Sequence, residues 1–122
     1  MKFSEDYAIG TNVIRSFTDS SIDVNNKTYN RSLIISSHLL IDDWVISNIN
    51  DMKAEHWQEL IQHNPEVIII GTGASLVFPH PSSYAPAIDK GIGVEFMDSQ
   101  AACRTYNVLV SEDRSILAGI IL

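Results

Sequence analysis

The sequence predicts an α/β layered fold, and three observations lead to it. From Met52 onward, apolar residues alternate between helical spacing and short branched runs. The helical stretches stop where helices should stop, at Asn64-Pro65 and before Gly91. The resulting order, strand, helix, strand, helix, strand, favours a sheet joined by right-handed crossovers.

The first third is polar, β-branched and turn-rich, and reads as a small antiparallel ribbon. Val13 to Phe17 is its first strand. Ser21-Ile22-Asp23-Val24 and Lys27-Thr28-Tyr29 flank Asn25-Asn26, and asparagine tolerates the positive φ of a tight turn. A hairpin over Ile22 to Tyr29 is therefore expected, standing partly apart from the main sheet. Leu33-Ile34-Ile35, bounded by serines, is a buried strand, and Trp44-Val45-Ile46 is another.

Trp57, Leu60 and Ile61 fall at i, i+3 and i+4, a helix that Met52 staples at its start and Lys53 caps poorly. Val67-Ile68-Ile69-Ile70 runs into Gly71-Thr72-Gly73, and four branched residues in a row suit a strand covered on both faces. Ser82 or Ser83 caps a second short helix, whose regularity Pro86 limits. Val94 to Met97 is the next strand. Asp98 then caps a third helix to about Ser111. Ala102, Tyr106, Leu109 and Val110 share its apolar face, and Gln100, Arg104, Asn107 and Ser111 the polar one. Glu112-Asp113-Arg114 turns the chain into a final strand, Ile116 to Ile121.

At 122 residues and 13.6 kDa the chain is one domain, residues 1–122, with no second core. Its net charge of −7 argues against a phosphate-binding surface and so against nucleic acid as a partner. One cysteine allows no internal disulfide and fits a reducing, cytoplasmic location. No apolar run is long enough for a membrane span. Met1 to Asp6 lacks the apolar stretch of a signal peptide, so the glycosylation patterns at Asn26 and Asn30 carry no weight.

Four segments together carry a resemblance. They are Ile70-Gly71-Thr72-Gly73, Gly91 through Asp98, Ala101 through Leu109, and Glu112-Asp113-Arg114. In this order and spacing the chain resembles the small α/β domain family that includes the mitochondrial respiratory complex I assembly factor 3. The resemblance implies a three-layer domain with a mixed, mostly parallel central sheet and a small N-terminal β extension. It also implies a central last strand and no established catalytic activity. Ser99 stands where a threonine is common, and Asp113 where a glycine is common.

The candidate sites gather where α/β sheets place ligands, beyond the ends of strands. Gly71-Thr72-Gly73 lacks the third glycine of a dinucleotide fingerprint and the lysine of a phosphate-binding loop. It reads first as a sharp turn packed beneath a helix, and second as a cradle for a small anion. If the strands ending at Ile70 and Met97 are neighbours, Gly71, Thr72 and Gly73 share a rim with Asp98, Cys103, Arg104 and Asn107. Cys103 sits near a helix start beside Arg104, yet no histidine is positioned by sequence to serve as its base. His56 and His63 are two turns apart, too far to share an ion unaided. Asp42 and Asp43, adjacent on a strand, would face opposite ways. No cofactor and no metal is expected.

Two functions follow. The leading one is a non-enzymatic factor that works through protein contacts, of an assembly type, with an unidentified protein partner. The other is a binder of an anionic metabolite, or an enzyme, using the Gly71–Gly73 and Asp98–Asn107 rim. A weak homodimer would use the hairpin or the residues around Trp44.

Overall fold

The structure, a computed structural model, describes residues 10–122. The reading of Met1 to Asp6 lies outside these residues. The chain runs β1 (Ile14–Thr18), β2 (Ser21–Val24), β3 (Lys27–Tyr29), β4 (Leu33–Ile35), β5 (Leu40–Ile41), a 3₁₀ turn (Ile49–Asp51), α1 (Ala54–Ile61), β6 (Val67–Gly71), α2 (Pro81–Asp89), β7 (Gly93–Met97), α3 (Ser99–Ser111) and β8 (Ile116–Ile120).

β1, β2 and β3 form an antiparallel sheet of their own. Ile22 pairs with Tyr29 and Val24 with Lys27, and Asn25 takes the turn at φ 56°. The expected hairpin is present. It does not stand free, because Ile14, Ile22 and Val24 are buried in one cluster with Tyr106 and Val110 of α3.

The main sheet has the order β5-β4-β8-β6-β7. The parallel ladders β6–β7 and β6–β8 hold five residue pairs each, whereas antiparallel β4–β8 and β4–β5 hold three and two. The sheet is therefore mixed, with most of its paired length parallel. The connection from β6 to β7 crosses the sheet in one sense and that from β7 to β8 in the other. With one handedness, opposite senses put α2 and α3 on opposite faces.

The core follows that division. Ile34, Ile68, Ile70 and Leu117 face α1 and α2 with Trp57, Leu60 and Ala87. Leu33, Ile35, Ile69, Ala118 and Ile120 face α3 and the small sheet. Alternation with period two fills both interiors from a single strand, as with Ile68 and Ile70 against Ile69. Each of those three isoleucines is 0% exposed, and burying one stabilises the fold by roughly 1.5–3 kcal/mol. β8 is central and Ile116 to Ile121 are buried, as the resemblance implied.

Three expectations need correction. The first third is not all ribbon, since β4 and β5 join the main sheet and Leu33 pairs with Ile120. Trp44-Val45-Ile46 is not a strand: burial alternates there, but no described strand pairs with it. The Trp44 ring instead covers Gly119 in the centre of the sheet, and Asp42 and Asp43 lie in the preceding turn. α2 starts earlier than Ser82, with His80 as the cap. His80 Nδ1 accepts the Ser82 N–H at 3.1 Å, and Pro81 takes the first turn, where a missing N–H is harmless. Pro86 lies inside this helix. At α1, Lys53 supplies no side-chain cap, and His56 Nδ1 accepts the Lys53 N–H at 2.9 Å.

Candidate functional site

β6 and β7 are parallel neighbours with Gly71 opposite Met97, so the glycine turn and the start of α3 do share one rim. The backbone closes it. The Thr72 N–H donates to the Met97 carbonyl at 2.8 Å, and the Ser99 N–H to the Gly73 carbonyl at 2.8 Å. Ser99 completes the closure with its hydroxyl, which accepts the Gly73 N–H at 2.9 Å and donates to the Ile121 carbonyl. One fully buried oxygen thus ties together the chain ends that follow β6 and β8.

Both glycines have structural reasons. A Cβ on Gly71 would lie 2.8 Å from Ser99 Oγ and 2.9 Å from Ser99 Cα, so a side chain there would push α3 away. Gly73 has φ +103°, a conformation L-residues rarely adopt.

Thr72 fastens the segment that follows. Its Oγ1 donates to the Ser75 carbonyl at 2.7 Å and accepts the Val77 N–H at 3.0 Å. This holds Leu76 and Phe78 in place while leaving them 48% and 70% exposed. Phe78 meets Phe96 edge-on at 6.3 Å, and Phe96 in turn packs on Tyr84 at 5.0 Å and Trp57 at 6.1 Å. An aromatic row therefore leads from the core to solvent.

The other predicted rim residues separate. Asp98 is the expected cap and accepts the Ala101 N–H at 2.9 Å, so its carboxylate stands where an anion would need to bind. Cys103 is 4% exposed and its thiol is pushed up to about 12 by burial, against a weaker opposing pull from Arg104. A thiol held protonated is a poor nucleophile. Arg104 is exposed. Asn107 lies nine residues beyond Asp98, about 13 Å along the helix at 1.5 Å per residue. It is not a solvated residue of the polar face: its Oδ1 accepts the Ile14 N–H at 3.0 Å and its Nδ2 donates to the Ile14 carbonyl at 2.7 Å. Tyr106 assists by donating its hydroxyl to the Asn12 carbonyl at 2.8 Å. These two residues dock the small sheet onto α3.

Beside the closed rim lies a cleft of about 320 Å³. Phe17 and Asp19 from the small sheet line it, with Asn48, Thr72, Gly73 and Leu122. Among the described residues no group of three or more His, Cys, Asp or Glu could hold a metal ion. Ser99 was missed as a site residue by sequence reasoning, although a signal existed. Ser99, Ala102, Cys103, Tyr106 and Val110 form one buried stripe, and a polar residue on such a stripe must find internal partners.

The family described as a protein of unknown function (DUF498/DUF598) matches residues 14–121. The chain belongs to this family. Within reach of this DUF498/DUF598 domain is the 13 kDa major membrane protein of Francisella tularensis subsp. holarctica (strain LVS), 35% identical over 99 residues and 80% of either chain. NADH dehydrogenase (ubiquinone) 1 alpha subcomplex assembly factor 3 of Danio rerio is 29% identical over 112 residues, covering 89% of this chain and 63% of its own length. The domain thus spans less than two thirds of that longer relative. A crystal structure of a Bordetella parapertussis protein superposes with a TM-score of 0.87 at 30% identity, over 93% of this chain and 98% of that one. Among the described residues no helix is long and apolar enough to cross a membrane.

Proposed function

We propose that this DUF498/DUF598 domain is a non-enzymatic, assembly-type factor that acts through contacts with another protein in the cytoplasm. The observation that carries this reading is Phe78, a large aromatic residue 70% exposed on a segment anchored by the Thr72 hydroxyl. Exposed aromatic residues on rigid segments are what protein interfaces use as anchors. The assembly-factor name of the Danio rerio relative points the same way.

The reading of the rim as an anion site has less support. The Gly73 and Ala101 N–H groups already donate to Ser99 Oγ and Asp98 Oδ1, and Asp19 adds negative charge to the cleft. The test is affinity capture from native lysate with the parent protein and with Phe78→Ser. The expected result is a specific protein recovered with the parent and lost with the variant. Recovery of no specific protein, or equal recovery with both, would overturn the reading.

A further inference from the structure

β7 is an edge strand, paired on one side with β6 and on the other with no described strand. The hydrogen bonds at its two ends show which way its backbone points. The Gly93 N–H donates to the Glu66 carbonyl at 3.1 Å, and the Met97 carbonyl accepts the Thr72 N–H at 2.8 Å. In a parallel ladder, alternate residues address the same neighbour. Gly93, Glu95 and Met97 therefore bond toward β6, and the N–H and C=O groups of Val94 and Phe96 point outward. No described residue pairs with those four groups.

The side chains divide in the opposite sense to that of a bare template. Val94 and Phe96 lie half-buried on the face of α1 and α2, with exposed Phe78 against the Phe96 ring. Glu95 points to the other face, is exposed, and has no ion pair among the described residues. The edge offers backbone hydrogen bonds, an apolar strip on one face and a single negative charge on the other.

That pattern discriminates between occupants. Two copies meeting antiparallel about Glu95 would match Val94 with Phe96 and satisfy all four backbone groups. They would also set two Glu95 carboxylates opposite each other at the closely spaced position, with Cα atoms about 4.5 Å apart. A charge at the middle of an edge strand opposes self-pairing of this kind. The same charge attracts a basic residue, and a chain of net charge −7 adds to that preference.

We propose that the free edge of β7 receives an extended, antiparallel segment of a partner protein in which a lysine or arginine opposite Glu95 is flanked by apolar residues opposite Val94 and Phe96. The proposal rests on the protein-contact reading above and names the chemistry of the contact. Backbone pairing supplies adhesion, while alternate side chains supply choice.

The test titrates the isotope-labelled full chain with the blocked heptapeptide Thr-Thr-Val-Lys-Val-Thr-Thr and with the same peptide carrying glutamate in place of lysine. The lysine peptide is expected to move the Val94 and Phe96 amide resonances most. It should bind about tenfold more tightly than the glutamate peptide, because a cross-strand attraction becomes a repulsion. Glu95→Lys, an exposed substitution that leaves the core intact, should invert the order. Unmoved Val94 and Phe96 amides, or an order indifferent to Glu95→Lys, would overturn the proposal. A dimer at neutral pH with these amides protected would also overturn it, by giving the edge to a second copy. If the peptides fail while Phe78→Ser still abolishes capture of a partner, the contact reading survives without this edge. Peptide binding with no partner captured would have the reverse meaning.

Discussion

Replacing Ser99 by alanine removes one oxygen from the centre of the rim. That oxygen accepts the Gly73 N–H at 2.9 Å and donates to the Ile121 carbonyl, and the residue is 0% exposed. Ile121 is 2% exposed, whereas Gly73 is half-buried and lines the cleft, where water can reach its freed N–H. A buried polar group left without its partner costs about 1–3 kcal/mol, so the stranded Ile121 carbonyl places the loss at about 1–3 kcal/mol. In a chain of this size, 1 kcal/mol corresponds to about 3–4 °C in Tm, so a fall of roughly 3–12 °C is expected. The fold should survive, because domains of this kind have about 5–15 kcal/mol of stability. Urea and thermal unfolding followed by circular dichroism measure the loss, and hydrogen exchange at the Gly73 amide should quicken beyond that of its neighbours. Ser111→Ala is the control, since its hydroxyl bonds the Val108 carbonyl at 2.7 Å on an exposed surface, and it should change stability by less than about 0.5 kcal/mol. Should Ser99→Ala prove as mild as that control, the Ser99 bridge does not hold the rim and the reasoning fails.

Ile120→Asn buries an amide at a 0% exposed position of the central strand and should destabilise by about 3–5 kcal/mol; an unchanged Tm with a shift from dimer to monomer would mean that β8 is an interface instead. Asn107→Ala strips both bonds from Ile14, and the amides of β1 and β2 should then exchange ahead of those of β6 and β8, with a loss of about 1–3 kcal/mol. Uniform exchange across both sheets would show that Asn107 is not the clamp. Cys103 should resist a thiol reagent at pH 8 until the protein unfolds, since burial holds its thiol at about 12. Because that value lies above the 9.0 of an ordinary thiol, the native state keeps a proton the unfolded chain loses. Stability should fall by about 1.4 kcal/mol per pH unit from this group as pH rises from 9 toward 12, and Cys103→Ala should flatten that slope.

Much of this architecture was legible because its causes are local. The run Val67 to Ile70 has no polar residue to offer solvent, so a strand covered on both faces is what it can be. Asp98 caps α3 through the Ala101 N–H, three residues away, and Asn25 turns the hairpin with its own positive φ. Such features need only a few neighbouring residues, and the sequence shows all of them. The remainder was settled by partners distant in the chain. Trp44 to Ile46 has strand-like residues, but the Trp44 ring is drawn over Gly119, which has no side chain to exclude it. Asn107 belongs by spacing to a polar face, and only the packing of β1 across 93 residues turns it into a clamp. Ser99 looks like an ordinary first residue of a helix until β6 and β8 bring Gly73 and Ile121 to its hydroxyl. Cys103 and Arg104 are adjacent in sequence, yet helical geometry sends one into the core and the other to solvent. Periodicity states which face a residue occupies, but what stands opposite that face is fixed by long-range pairing, and that pairing decided which rim residues meet.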